Sequence, residues 1–296
     1  MKIHKLNISD KKYFNKSLKL ETHGLSSYAF ENIFIWKKLF EIYWIKIEES
    51  LCIFFKDHAG CFMYLPPLSV QPSAKIIDEV FSIMDKMNNN KEISRIENAE
   101  ERTLSFYKNL GYEYMPKSND YVYKKEDLAQ LKGDKFKSKR SSFNHFVKHY
   151  NFKYLPFSLK YKEECLKLYD FWSRQRGDKS QDSAYEYMLR DSKIALETML
   201  KSYKYLDMVG RIVTVDSKFK AFTFGFELNH ETFCILYEIT DLSINGLAQF
   251  IFRQFSRELN YKYINTMDDS FLENIKKVKL SYRPSRLIPS YIIKRK

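Results

Sequence analysis

The 296-residue sequence is short of the residues that break regular structure, with 8 glycines and 7 prolines in all. So few breakers exclude a low-complexity or collagen-like chain and call for helices and strands joined by short loops. Cysteine is equally scarce: Cys52, Cys61, Cys165 and Cys234 show neither C-x-x-C nor metal-ligand spacing, so no metal centre is expected. Three of the four fall inside apolar runs, where cysteine acts as a small buried hydrophobe and stays reduced. No uncharged run reaches the roughly 18 residues of a membrane span. The opening MKIHKLNISDKKYF has no apolar core of the signal-peptide kind, and a cytoplasmic protein is expected. A P-loop and a dinucleotide fingerprint are also missing.

What is present is a large apolar reserve. Hydrophobic residues make up 44% of the chain and aromatics 17%, which rules out global disorder and supplies cores for two domains of ordinary size. The formal charge is +13, and it is concentrated. Residues 132–148 hold six bases against Asp134, and residues 276–296 hold eight bases and no acid, so these two stretches account for the whole excess. Segregated positive charge suits a polyanionic partner, either nucleic acid or an anionic membrane surface.

The hydrophobic pattern alternates strands and helices, and it does so twice. In the first half a helix over 26–40 precedes three strand-like runs, EIYWIKIEES, LCIFFKDHA and CFMYLPPL. The helix SAKIIDEVFSIMDKM, the strand SRIENAE, the helix ERTLSFYKNLG and the strands YEYMP and DYVYKK follow. The second half opens on FKYLPFSL and helices over 162–176 and 182–203, then repeats the order through to a last strand, PSYIIKR. A gapless shift of 168 residues superposes Ile96 on Ile264, Leu104 on Leu272, Lys108 on Lys276, Tyr114 on Tyr282, Pro116 on Pro284 and Tyr123 on Tyr291. Three meander strands, a helix, a strand, a helix and a closing strand resemble the order of GNAT acyltransferases. The fold expected is therefore α/β (α+β): tandem GNAT domains with mixed, mostly antiparallel sheets flanked by helices. The expected division is an N-terminal domain over 1–126, a basic linker helix over 127–150 and a C-terminal domain over 151–296 that carries the active site.

Three segments, DYVYKKEDLAQLKGDKFKSKRSSFNHF (120–146), VDSKFKAFTFGFELNHETFCILYEITD (215–241) and INTMDDSFLENIKKVKLSYRPSRL (264–287), resemble the DUF2156 family. That family is related to the C-terminal domain of bacterial phosphatidylglycerol lysyltransferases. The resemblance implies a tandem GNAT fold with its reacting site in the second copy. It also implies transfer of an amino acid from aminoacyl-tRNA to an acceptor bearing an amine or hydroxyl.

Acyl transfer needs a deprotonated nucleophile, a polarised carbonyl, a held donor and a proton for the leaving group. For the base, the carboxylates of the second meander come first: Glu238 and Glu227 in strands, and Asp241 in the loop beyond. An acid among Phe, Tyr and Leu gains proton affinity, although a strand acid can equally face solvent or pair with a lysine. Gly246-x-Ala248, with Ser243 before it, resembles the end of a GNAT pyrophosphate loop, although such a glycine is more often an ordinary helix cap. Asn265, Asp268 and Asp269 either hold an amino group or cap the next helix. Lys276, Lys279, Arg283 and the nearby Tyr282 suit a tRNA end, where cations hold phosphate while a ring stacks a base.

At 100° per residue Phe136, Phe143, Val147 and Tyr150 share one sector of a helix with Arg140, and Lys135 and Lys139 flank it. A guanidinium on an apolar face must snorkel, pair or meet a phosphate. The helix is expected to pack between the two domains with its basic edge in the binding surface. Three functions compete. The first is an aminoacyl-tRNA-dependent transferase acting on a small-molecule or peptide amine. The second is an acetyl-CoA-dependent N-acetyltransferase. The third is a non-catalytic module for RNA or an anionic membrane surface. No tightly bound cofactor is expected beyond the donor substrate.

Overall fold

The structure is a computed structural model that describes residues 2–70, 73–177 and 183–296. It divides into two compact units. The first is Met1–Asp120 with Asp268–Phe271 and Leu287–Lys296, and the second is Tyr121–Met267 with Leu272–Arg286.

In the first unit β1 (His4–Lys5), α1 (Lys11–Leu18) and α2 (Phe30–Phe34) precede an antiparallel meander of β2 (Glu41–Ile47), β3 (Ser50–Lys56) and β4 (Cys61–Met63). Helix α3 (Ala74–Met87) starts at Ser73, whose side chain accepts a hydrogen bond from the Ile76 amide. Its apolar stripe, Ile76, Ile77, Val80, Phe81 and Met84, is buried against Ile45, Phe54 and Met63 of the sheet. Each such side chain contributes about 2 kcal/mol through burial. Strand β5 (Ile96–Glu100) runs parallel to β4 with one matched pair, Met63 with Ile96, and α4 (Leu104–Asn109) follows.

The second unit begins within β6 (Glu113–Lys124) and continues through α5 (Lys125–Gln130) and α6 (Lys137–His149). The next elements are β7 (Phe152–Pro156), α7 (Lys162–Gly177) and α8 (Ser183–Ser202). Its meander extends from β7 into β8 (Met208–Val215), β9 (Lys218–Asn229) and β10 (Thr232–Thr240), all antiparallel. Helix α9 (Leu247–Glu258) leads to β11 (Tyr263–Asn265), parallel to β10, and α10 (Glu273–Ser281) precedes β12 (Arg286–Lys294).

The strands belong to one 12-stranded sheet rather than to separate sheets, and those that complete the two units depart from the expected layout. β12 pairs with β5 in the first unit, Tyr291 facing Ala99 and Ile293 facing Ile96. The end of β6 pairs with β11 in the second, Tyr123 facing Ile264. Tyr123 and Tyr291 are partners in the 168-residue repeat, so each repeat is completed by the other repeat's last strand. YEYMP and DYVYKK are therefore one 12-residue strand, and the unit boundary falls within it at 120/121 rather than at 126.

The segment expected to link two domains belongs to the second unit. Helix α6 packs on α9 through Phe146, fully buried, with Phe143 and Tyr150 beside it and Leu247, Phe250 and Ile251 opposite. Val147, expected on that face, is exposed, because the buried stripe is centred on Phe146 instead. The ring of Phe250 lies 4.8 Å from that of Phe146.

Candidate active site

Glu238 lies in β10 two residues after a β-bulge, where Ile235 and Tyr237 face the adjacent residues Gly225 and Phe224 of β9. Bulges bend a strand and re-aim its side chains. Part of the residue reaches the surface, yet Oε2 is buried and has no hydrogen-bond partner among the described residues. Burial, with no donor to offset it, pushes the carboxyl up to about 8. At neutral pH the group is mostly protonated and able to exchange its proton.

Tyr282, just past α10, is buried beside it. Burial raises its phenol far above the usual range, and the Glu238 charge raises it further. The ring meets Phe252 of α9 edge-on at 4.8 Å, and the Lys139 ammonium sits 4.3 Å from its centroid. Lys139 is half-buried, and loss of hydration lowers its pKa. An acid that resists ionising, a phenol and a poorly solvated cation thus meet in one unit, from α6, β10 and the end of α10. All three were singled out in the sequence, where 99 residues separate Lys139 from Glu238.

Other expected site residues have structural partners. Glu227 is exposed and accepts a hydrogen bond from the Tyr261 hydroxyl at 2.7 Å. Asp241 is buried: burial alone would raise its pKa, but Lys220 at 2.7 Å and the Ser243 hydroxyl and amide hold it low. It fastens the turn between β10 and α9, with Ser243 as its partner.

Gly246 has φ +84°, and a Cβ there would lie 2.0 Å from the Ser142 carbonyl of α6 and 2.9 Å from the Phe146 Cβ. Glycine is required for that close approach, which covers the helix start where a pyrophosphate was expected. Ala248, the second residue of the same helix, is half-buried.

Asn265, buried in β11, accepts from the Met267 amide at 2.6 Å. In the first unit's share of the loop, Asp268 accepts from the Ser270 amide and Asp269 from the Phe271 amide, each at 3.0 Å. These are side-chain-closed turns ahead of α10, and the residue capping that helix is Leu272.

Several cations expected to face phosphate are engaged by the protein. The Lys279 ammonium donates to the Thr266 and Met267 carbonyls. Arg140 donates to the carbonyls of Leu131 and Gly133, capping the end of α5, which explains a guanidinium on an apolar face. Lys135 pairs with Asp127 at 3.6 Å. Lys276 makes an exposed i,i+3 pair with Glu273, and Arg283 is exposed at a left-handed position, φ +56°.

Sequence reasoning missed a second polar centre, in the first unit. His23, Glu21, Glu100 and Arg102 line a cavity of about 240 Å³ there. His23 and Glu100 are 77 residues apart in no recognisable motif, so nothing local signals their meeting. Among the described residues no group of three His, Cys, Asp or Glu could hold a metal ion, and no helix is long and apolar enough to cross a membrane.

The fold is two tandem GNAT-type units, and the family match gives the chain's class as acyltransferase. A match to the family described as phosphatidylglycerol lysyltransferase, C-terminal, runs over residues 19–294, and the chain belongs to that family. Among solved structures it is similar to a conserved protein of unknown function from Bacteroides thetaiotaomicron VPI-5482, with TM-score 0.87, 25% identity and 99% of each chain covered. It also shares its fold with the C-terminal domain (DUF2156) of a putative lysylphosphatidylglycerol synthetase from Agrobacterium fabrum, at TM-score 0.67 and 12% identity over 97% of this chain and 92% of that one. L-PGS from Bacillus licheniformis gives TM-score 0.65 and 14% identity over the same shares. No curated protein matches the chain.

Proposed function

We propose that the chain is a cytoplasmic aminoacyltransferase, moving an amino acid from charged tRNA to an acceptor bearing an amine or hydroxyl, with the chemistry in the second unit. The observation that carries this reading is Glu238: a buried carboxyl with no donor, pushed up to about 8, beside the Tyr282 phenol. An acid tuned near the working pH serves in both directions of proton transfer. In its ionised fraction it accepts a proton from the attacking amine or hydroxyl as the new bond to the ester carbonyl carbon forms. It then returns that proton to the ribose oxygen as the carbon–oxygen bond of the donor breaks. Lys139 places positive charge where a polyanionic donor end arrives.

The closed start of α9 supports a tRNA donor over acetyl-CoA, since the Ser142 carbonyl stands against Gly246 where a pyrophosphate would have to approach. The test is binding and thermal stabilisation by charged tRNA, uncharged tRNA and acetyl-CoA at about 50 and about 200 mM salt. Expected are tRNA binding that weakens steeply with salt and no shift with acetyl-CoA. Arg283→Ala, at an exposed cation, lowers the salt slope by about 1. A protein indifferent to tRNA at low salt but stabilised by acetyl-CoA would reverse the assignment.

A further inference from the structure

The cavity in the first unit takes no part in the chemistry assigned to Glu238. It opens between the loop after β4, the end of β5 with α4, and the segment that follows α1. Its polar side is an ion network around Glu100. Oε2 of that buried carboxylate accepts from Arg102 Nε at 2.9 Å and Nη2 at 2.7 Å and faces His23 Nδ1 at 2.9 Å, while Oε1 accepts from the Gly24 amide at 3.1 Å. The other end of the guanidinium meets Glu21 at 2.8 Å. The His23 ring is stacked on Tyr28 with centroids 4.0 Å apart, and the Tyr28 hydroxyl donates to the Asn98 carbonyl, so the wall is rigid.

The sign of the charge selects the ligand. Two carboxylates stand against one guanidinium and the His23 ring, which leaves carboxylate charge in excess wherever that ring is neutral, and both ends of the guanidinium are already engaged by the carboxylates. An arriving anion would have to displace Glu21 and then sit against Glu100. An arriving ammonium meets Glu21, whose side chain is 39% exposed at the rim. The remaining lining is apolar: Leu20, Pro66, Leu68 and Phe106 leave a dry slot for a hydrocarbon stem.

We propose that the first unit binds a small amine in this cavity, its ammonium against the Glu21 and Glu100 carboxylates and its apolar stem among Leu68, Pro66 and Phe106. The site stands independently of the donor assigned to the second unit.

The experiment is calorimetric titration of the full chain with hexylamine, hexanoate and hexanol as probes. Hexylamine binds saturably, hexanol binds more weakly, and hexanoate does not bind. Glu21→Gln weakens hexylamine about tenfold, one charge contact's worth, and Glu21→Asp restores most of it. Should Glu21→Gln fail to fold, Leu20→Lys at the exposed rim places a repelling charge at the mouth without touching the core, and a similar loss is expected. The proposal is overturned if hexylamine shows no saturation by about 10 mM, the weak end of specific binding. It is equally overturned if hexanoate binds as well as the amine, or if the folded charge variants leave hexylamine affinity unchanged.

Discussion

Each unit buries a glutamate, and the two carboxyls are in opposite states. Glu100 loses hydration, which alone would raise its pKa, but His23, Arg102 and the Gly24 amide more than offset this and hold it below the usual range. Glu238 loses hydration with no donor in return and rises to about 8. Burial is common to both, so donors decide between a fixed anion and an exchangeable acid. The first state stabilises a fold and gives a cavity its charge. The second costs stability at neutral pH and suits proton transfer, and such a cost is characteristic of working sites.

The sharpest way to break this contrast is Glu238→Gln. Transfer activity falls about 10²–10³-fold, the usual contribution of a general acid–base group. Stability moves the other way. A carboxyl whose folded pKa is raised contributes stability below its unfolded value, and that contribution disappears as pH rises through the folded value. The variant is therefore more stable than the parent by up to about 3 kcal/mol near pH 7, with no gain below about pH 4. Equal urea midpoints at both pH values would contradict the assignment.

Gly246→Ala examines the other difference between the units, the loop that follows the meander. The new methyl must occupy a left-handed position against the Ser142 carbonyl, and a loss of about 4 kcal/mol in chemical denaturation is expected. The corresponding first-unit loop contains no glycine and borders an open cavity instead.

Glu100→Gln sharpens the comparison from its stable side. Leaving Arg102 and His23 facing a neutral amide costs about 3 kcal/mol near neutrality. The sign with pH is opposite to that of Glu238. A depressed folded pKa gives stability above the unfolded value, lost as pH falls through the folded one. Parent and variant should therefore converge in acid, which urea midpoints across the acid range would show.

Much of this was legible in the sequence because it is local. The 3.6-residue period of Ile76, Ile77, Val80, Phe81 and Met84 and the apolar strand runs of the second meander gave their elements directly. An acid inside FCILYEIT pointed to Glu238 for the same reason, since its neighbours set its solvation. Arg140 was flagged by its apolar sector, but its partners are backbone carbonyls, and no side-chain pattern shows where a carbonyl will be. Lys279 differs from its expected role on the same ground, its charge being satisfied by the chain's own peptide groups. The His23–Glu100–Arg102 centre and the pairing of β12 with β5 depend on contacts between distant segments, which periodicity does not encode.

The trade of closing strands has a consequence for biosynthesis. β5 is made long before its partner, because the strand that hydrogen-bonds to its flank lies at Leu287–Lys296. Throughout translation of the intervening residues that flank keeps unpaired amides and carbonyls, an invitation to wrong partners. Chaperone demand should therefore concentrate on the nascent first unit, and a chain that lacks Leu287–Lys296 should leave that unit unclosed.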